Sequence, residues 1–237
     1  MRPKIGIVAA LEREVAPLTR KFAKRNDGPK DLAIFEKKGI WLVCSGMGGK
    51  QAAAATAWLI ATHKPEVVMS VGFAGALAPG YRAGDVITPG TVIDGATGER
   101  FSASDDQGVL VSNTGILGEA GKRQLAAQFG AQAVDMEAAA VARVAQERSV
   151  VFCAVKAISD ELDFAMPPMD RFVTEAGKLN TLQFLSYVAV RPSSWPAVAQ
   201  LGANSRKASS QLCRWLENQI SRDFQEVMCG LRTKTRS

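Results

Sequence analysis

Histidine, cysteine and long apolar stretches are all scarce in this chain of 237 residues. His63 is the only histidine, and the four cysteines are scattered without C-x-x-C spacing. A zinc centre needs several ligands of these two types, and a Ser-His-Asp triad needs a suitably placed histidine. Both kinds of site are therefore disfavoured, and we expect neither a metal nor a cofactor. Cys44 and Cys153 lie in apolar segments and are interpreted as small hydrophobic residues of a protein in a reducing compartment.

No apolar run reaches the eighteen or so residues that cross a membrane. Met1–Lys4 leads straight into an apolar strand, without the apolar core of a secretory leader. We therefore expect a cytoplasmic protein. Residues 1–190 carry 21 basic and 20 acidic side chains, whereas residues 191–237 carry 8 and 3. The nearly neutral main part argues against nucleic-acid binding, and the basic charge belongs to the C-terminal segment.

Apolar runs of strand length alternate along the chain with segments of helical spacing. This alternation predicts an α/β fold with a mostly parallel sheet covered on both faces. A break at Arg191–Pro196 divides the chain into a main domain, 1–190, and a tail, 191–237. The predicted helices are 11–25, 50–62, 118–129, 135–147 and 175–190, and the predicted strands are 4–10, 32–35, 40–44, 66–70, 84–87, 109–112 and 150–158. The polar stretch 97–108 is predicted as a loop.

Three acidic residues stand at the ends of predicted elements. Asp160 follows the apolar strand that ends near Ile158, Glu137 opens a helix, and Glu14 follows the first strand. Ligands of open α/β sheets bind at strand ends, so we expect these acids to meet in one site. Taken singly, each has a simpler structural explanation, such as a helix cap or a solvated helix face.

Two glycine-rich segments, Ser45–Gly49 and Gly72–Gly75, are predicted to be loops after strands. Glycines in such loops let a ligand approach backbone N–H groups, and tight packing of a helix on a sheet explains them equally well. Gly48 and Gly75 are the candidate ligand-contacting positions. Neither segment matches the P-loop or the dinucleotide-binding fingerprint.

Five short motifs, in order, resemble the methylthioadenosine/S-adenosylhomocysteine nucleosidases of the purine nucleoside phosphorylase/nucleosidase superfamily. They cover roughly residues 4–190 and comprise Ile5–Val15, Ser45–Gly48, Gly72–Pro79 with Gly84–Asp85, Val134–Ala138 and Ala157–Asp160. The resemblance implies a three-layer α/β/α fold and cleavage of the N-glycosidic bond of a purine, chiefly adenine, nucleoside. The short spacing between Gly84 and Glu137 is closer to the hopanoid-associated phosphorylase branch, which is thought to act on a lipid-linked adenosine.

The resemblance also implies roles for single residues. Asp160, oriented by Ser159 and kept neutral by burial, protonates the leaving base, and Glu14 activates water, with Glu12 as the alternative in register. Glu137 and Met136 bind the ribose, and Ile116 or Leu117 contacts the base. Lys156 stands where the family tends to carry arginine near the site, although a lysine at a sheet edge is an equal alternative.

The chain departs from the phosphorylases around Phe73. Phe73 occupies the place of a phosphate-binding serine, and the nearby arginine is missing. A dianion there lacks charge compensation, which favours water as the nucleophile, although Arg82 or Lys156 could still reach a phosphate. Hydrolysis is therefore the first hypothesis. Phosphorolysis of a lipid-linked adenosine and a catalytically silent nucleoside-binding protein are the alternatives.

The tail has apolar residues at spacings of three and four between 195 and 231, with basic residues among them. This basic amphipathic pattern is compatible with contact to a membrane surface. A helix packed on its own domain or on a dimer partner is the other interpretation. The resemblance implies a homodimer, since a neighbouring subunit generally helps to close the site in this family.

Overall fold

The computed structural model describes residues 4–103, 108–166, 172, 187 and 191–221. In these residues eleven strands form one mixed sheet. They are β1 (Ile5–Ala9), β2 (Ala23–Arg25), β3 (Ala33–Lys37), β4 (Ile40–Cys44), β5 (Val67–Ala76), β6 (Val86–Ile87), β7 (Thr91–Asp94), β8 (Arg100–Ser102), β9 (Val109–Ser112), β10 (Ala133–Asp135) and β11 (Val151–Asp160). The described helices are α1 (Ala16–Thr19), α2 (Gly49–His63), α3 (Glu119–Phe129), α4 (Ala138–Glu147) and α5 (Trp195–Ser221).

Strand β5 is the branch point of the sheet. The strand order is β2-β3-β4-β1-β5-β10-β9-β7-β8, and β11 pairs with both β5 and β6. Val67–Val71 lies between two parallel neighbours, β1 and β11, whereas the last residues of β5 pair with β10 in antiparallel fashion. The carboxyl ends of β1, β5 and β11 therefore point the same way. Short antiparallel strands make up the two outer parts of the sheet.

Helices cover both faces, which confirms the expected three-layer α/β/α fold. Successive residues of β1 serve the two layers, because strand side chains alternate between faces. Ile7 packs with Leu212 and Leu216 of α5, whereas Val8 packs with the cluster that includes α2 and α4. The contact surfaces of α2 and α4 are rich in alanine, which lets these helices lie close to the sheet and to each other. The buried alanines are Ala52, Ala55, Ala138, Ala139, Ala142 and Ala145.

The predicted helix over residues 11–25 is wrong. The segment forms a single 3-10 turn at Glu12–Glu14, the short helix α1 and then strand β2. Pro17 lies in the first turn of α1 and lacks the N–H that a helix continuing from Leu11 requires there. Beyond α1, the backbone of Ala23–Arg25 finds partners on β3 at the edge of the sheet.

The predicted loop at Gly72–Gly75 is also wrong. These residues continue β5, because β11 supplies ladder partners as far as Gly75. The predicted loop 97–108 contains strand β8, which pairs with β7. Apart from residue 187, the predicted helix 175–190 lies outside the described residues, as does the tail beyond residue 221.

Helix α5 packs on the sheet through an apolar stripe. Ala208, Leu212 and Leu216 are fully buried, whereas Trp195 at its start is 54% exposed. The described part of the tail thus packs on its own domain. This agrees with the interpretation of the tail as a packed helix. The domain boundary after residue 190 stays a prediction. Among the residues described, no helix combines the length and the apolar character that crossing a membrane requires.

Candidate active site

A cavity opens where the carboxyl ends of β1, β5, β10 and β11 meet. Eight of the predicted site residues line it together: Glu14, Phe73, Gly75, Ile116, Met136, Glu137, Ser159 and Asp160. Leu117 lines the cavity together with Ile116. The other wall residues were not predicted as site residues: Ala10, Arg13, Met47, Ala74, Gly115, Lys122, Val134, Asp135, Met166, Leu201 and Ser205. The remaining two predictions, Gly48 and Lys156, lie directly behind the wall, as described below.

Glu14 enters the cavity from the turn that follows β1. Its side chain is buried, and Oε2 has no hydrogen-bond partner among the described residues. Burial, followed by the negative charge of Glu137, raises its pKa from 4.5 to about 7, although Lys156 acts in the opposite direction. Glu12, the alternative in register, is exposed and lies outside this cavity.

Gly72 makes room for Glu14. A Cβ atom at this position would lie 2.7 Å from Glu14 Oε2, well inside contact distance. The glycine-rich end of β5 therefore serves close approach between a strand and a buried carboxyl group. The glycine-rich sequence had instead predicted a loop that binds a ligand through its backbone N–H groups.

Glu137 stands immediately before α4 and is held by backbone donors. The Gly48 N–H donates to Glu137 Oε1 at 2.7 Å, and the Met136 N–H donates to Oε2 at 3.3 Å. Burial, followed by the charge of Asp135, raises the pKa of Glu137 from 4.5 to about 7. In this structure Gly48 therefore binds the carboxyl group of Glu137 through its backbone N–H. It adopts a positive φ of 100° before α2, a conformation that glycine adopts readily.

Lys156 is a buried cation whose partners lie next to these acids. It is only 1% exposed, pairs with Asp135 Oδ2 at 2.8 Å and donates to Ser70 Oγ at 3.0 Å. Burial lowers its pKa, but the charges of Asp135 and Glu137 outweigh burial, so the net shift is upward. The interpretation as a lysine at a sheet edge does not fit, because β11 has partners on both sides at this point.

Asp135 is a residue of the candidate site that was not predicted from the sequence. Besides Lys156, it accepts hydrogen bonds from the Ser112 hydroxyl at 2.5 Å and from the Ala138 N–H at 2.9 Å. A signal for it existed in the sequence. A lysine such as Lys156 within an apolar strand requires a buried anionic partner, and Asp135 at the end of another apolar segment is a natural candidate.

Asp160 lines the same cavity as Glu14 and lies at the terminus of β11. The Ser159 hydroxyl donates to Asp160 Oδ1 at 2.6 Å, and the Lys122 ammonium donates to Oδ2 at 2.5 Å. Lys122 and Asp160 are 1% and 4% exposed, so this is a buried ion pair. The sequence-based hypothesis of an acid kept neutral by burial alone did not include this cation.

Lys122 is the second residue that the sequence analysis missed. It belongs to α3, where a lysine on a predicted amphipathic helix would ordinarily be assigned to the solvated face. Its spacing of three and seven residues from Leu125 and Phe129 places it on the apolar face of that helix instead. That spacing was the available signal for its burial.

The described residues contain no group of three or more His, Cys, Asp or Glu side chains arranged to hold a metal ion. The wall of the cavity carries carboxyl groups, two cationic side chains and apolar side chains. Its cations are Arg13, which is exposed, and Lys122. Such a site can donate a proton, accept a proton and bind hydroxyl groups.

Comparison with known proteins assigns the chain to a class. The model of the phosphorylase superfamily matches residues 4–109 and 96–186. The chain therefore belongs to the phosphorylase superfamily and is an enzyme, which confirms both expectations.

Solved structures with the same fold share little sequence with this chain. A Helicobacter pylori methylthioadenosine nucleosidase mutant with 5′-methylthioadenosine in its active site is 18% identical, covering 94% of this chain and 100% of its own, with a TM-score of 0.71. Helicobacter pylori futalosine hydrolase is 18% identical, covers 94% and 99%, and has a TM-score of 0.70. The 5′-methylthioadenosine/S-adenosylhomocysteine nucleosidase from Neisseria meningitidis is 20% identical, covers 90% and 96%, and has a TM-score of 0.67.

Proposed function

We propose that this enzyme hydrolyses the N-glycosidic bond of a purine nucleoside, with adenine nucleosides such as methylthioadenosine or S-adenosylhomocysteine as substrates. One observation carries the proposal: the buried Glu14, with an oxygen free of described partners, faces the same cavity as Glu137 and Asp160. The nucleosidases with the same fold act on nucleosides of this kind, which supports the choice of substrate.

Glu14 activates the attacking water in this proposal. A general base works best when its pKa is close to the operating pH, and the pKa of Glu14 is raised to about 7. Its Oε2 is available to accept a hydrogen bond from water because no described residue uses it. Glu12, which is exposed outside the cavity, is not in a position to do so.

Glu137 binds the ribose hydroxyl groups. A carboxylate has about four lone-pair positions, and the described structure uses two of them for Gly48 and Met136. The remaining positions can accept hydroxyl donors, and the negative charge stabilises the oxocarbenium character that develops on the sugar. Met136 and Phe73 supply the apolar contacts to the sugar, and Ile116 contacts the base.

Asp160 stands at the base end of the cavity, where departure of the purine requires protonation of a ring nitrogen. Ser159 orients its carboxyl group through the hydrogen bond to Oδ1. Gly75 permits the close approach, since a Cβ there would lie 2.9 Å from Asp160 Oδ2. In this proposal Asp160 protonates the leaving base.

Water is favoured over phosphate because Lys156, the buried cation whose charge acts on Glu14, is already engaged. Lys156 is paired with Asp135 beneath the wall, and the β5 segment around Phe73 carries no cation. A phosphate dianion needs such partners. The second candidate function, phosphorolysis of a lipid-linked adenosine, is favoured by Arg13 at the wall and by the apolar Met166 and Leu201 beside it.

The test is release of base from adenosine, methylthioadenosine and S-adenosylhomocysteine, each with and without phosphate. Wild type, Glu14→Gln and the matched Glu12→Gln variant are compared. Release without phosphate that is lost only in Glu14→Gln supports the hydrolase. Strict dependence on phosphate supports the phosphorylase instead, and a lipid-linked adenosine is then the substrate to assay. Binding of adenine without turnover of any of these compounds identifies the silent binder.

We further propose a cytoplasmic homodimer with a C-terminal helix that is part of the folded core. The apolar stripe of α5 is used against the sheet, so only its exposed surface, including Trp195, remains for a membrane. Sedimentation equilibrium measures the oligomeric state. Pelleting with anionic vesicles, using wild type and Trp195→Ala, tests the membrane contact; an unchanged bound fraction removes Trp195 from any such role.

A further inference from the structure

Asp135 is held in place by three other elements of the fold. The Ser112 hydroxyl at the end of β9 donates to Oδ1 at 2.5 Å, and the Ala138 N–H at the start of α4 donates to Oδ2 at 2.9 Å. Lys156 of β11 pairs with the same Oδ2 at 2.8 Å. Asp135 is only 5% exposed, so its carboxyl group is fixed beside a buried cation. Hydrolysis as proposed above gives it no role.

The ammonium group of Lys156 lies close to the proposed base without binding it. A Cβ atom on Gly72 would lie 2.7 Å from Glu14 Oε2 and 3.9 Å from Lys156 Nζ, so both groups approach the same point of β5. Lys156 nevertheless donates to Ser70 Oγ and pairs with Asp135. No described residue donates to Glu14 Oε2. Asp135 and Glu14 are therefore alternative anionic partners for one buried cation.

We propose that Asp135 is a positioning residue, which holds Lys156 in a buried ion pair and thereby keeps Glu14 Oε2 available to the attacking water. This inference rests on the proposed function and adds a further residue to it. Asp135 acts through Lys156 and not by contact with the reacting atoms. Its hydrogen bonds to Ser112 and Ala138 fix the place at which the lysine is held.

The electrostatic reason is that a buried ammonium group requires an anionic partner. Without the charge of Asp135, the remaining carboxyl groups whose charges act on Lys156 are Glu137 and Glu14. An opposite charge at close range lowers the pKa of a carboxyl group. An ion pair with Lys156 would therefore make Glu14 a weaker base, and it would occupy the oxygen that water needs.

The other ionisable groups around Glu14 are Glu12 and Arg13 in its own turn, Cys44 on β4, Cys213 on α5 and Glu137 before α4. Burial raises the pKa of both thiols, that of Cys213 to about 11, so they stay uncharged near pH 7. Glu12 is exposed, and the charge of Glu137 raises the pKa of Glu14. Lys156 and Arg13 both lower that pKa, and of these two cations Lys156 is the buried one.

The experiment measures the pH profile of base release from methylthioadenosine in wild type, Asp135→Asn and the control Asp94→Asn. Asp94 is likewise paired with a cation, Arg143, and lies outside the cavity. In wild type and the control, kcat/KM is expected to fall on the acidic side with a midpoint near 7. In Asp135→Asn we expect the midpoint at least about one pH unit lower and kcat reduced about tenfold or more. An unchanged midpoint, with or without a lower kcat, overturns the proposal.

Removal of the lysine as well distinguishes this mechanism from general damage to the site. In Lys156→Met/Asp135→Asn no buried cation competes for Glu14. The midpoint is therefore expected to return to the wild-type value or above it, with a higher kcat than in Asp135→Asn. A midpoint that stays low would show that Lys156 is not the agent. If Asp135→Asn fails to fold, the double variant, which leaves no buried charge unpaired, is compared with wild type directly, and a midpoint below that of wild type overturns the proposal.

A carbon-13 NMR titration of labelled glutamate carboxyl groups separates this inference from the proposed function. The Glu14 signal is identified by its loss in Glu14→Gln, and its midpoint, about 7 in wild type, is expected to fall in Asp135→Asn. If wild type hydrolyses nucleosides but this midpoint does not fall, the role of Asp135 is wrong and the function stands. If the midpoint falls and nothing is hydrolysed, the function is wrong and the control of Glu14 by Asp135 stands.

Discussion

Replacement of Glu14 by glutamine is expected to remove activity and to stabilise the fold at the same time. The glutamate is buried, has an oxygen with no described partner and faces the charge of Glu137. Ionisation of such a group in the folded state is unfavourable because burial removes water from the charged form. Glutamine has nearly the same shape and carries no charge, so it removes this unfavourable ionisation together with the proposed base.

The size and sign of the effect follow from the pKa. The folded-state pKa of Glu14 is about 7, above its ordinary value of 4.5, so the folded state binds the proton more tightly. Stability therefore falls as the pH rises through the window between these two values. A difference of this size corresponds to about 3 kcal/mol when both states are ionised, at about 1.4 kcal/mol per pKa unit.

Urea unfolding at pH 5 and pH 8.5 measures this effect. We expect Glu14→Gln to exceed wild type in free energy of unfolding by about 3 kcal/mol at pH 8.5 and by less than about 1 kcal/mol at pH 5. The matched control is Glu12→Gln, an exposed position where a change within about 0.5 kcal/mol is expected at both pH values. A gain of equal size at both pH values, or no gain at pH 8.5, would refute the reasoning.

Three further predictions concern the same cavity. Lys156→Met leaves Asp135 unpaired and is expected to lower the free energy of unfolding by about 3–5 kcal/mol, with part of the loss restored in Lys156→Met/Asp135→Asn. The pH profile of kcat/KM is expected to fall on the acidic side with a midpoint near 7, set jointly by Glu14 and Glu137. Gly72→Ala places a Cβ 2.7 Å from a Glu14 oxygen and is expected to reduce kcat by at least tenfold, measured by base release.

Each of these predictions has its own contradicting result. A double variant at Lys156 and Asp135 that is no more stable than the single one would show that the pair is not the source of the loss. If kcat/KM falls only well below pH 5, ionisation of the buried Glu14 and Glu137 does not control the rate. Gly118→Ala, where a Cβ meets no atom within 4 Å, is the control for Gly72→Ala, and equal effects of the two would dismiss the steric explanation.

Local sequence patterns predicted most helices and strands correctly. They failed where pairing within the sheet outweighs the local preference. The helix predicted over 50–62 is α2 to within a residue, because its composition and spacing agree with its packing. Gly72–Gly75 was predicted as a loop because glycine disfavours strands in isolation. The ladder that β11 extends along β5 outweighs that preference. Likewise, spacing alone suggested one helix over 11–25, while the edge of the sheet drew Ala23–Arg25 into a strand.

The sequence by itself determined the layered α/β fold, the family and the set of acids at strand ends, since apolar periodicity and short motifs are local properties. Only the tertiary structure decided the charge partners of those acids. Lys122 reaches Asp160 across 38 positions of the chain, and Lys156 reaches Asp135 from a different strand. Such pairs depend on the register of strands and on how a helix is rotated against the sheet. Local spacing can indicate that a lysine is buried, but the acid that it meets is set by this tertiary geometry.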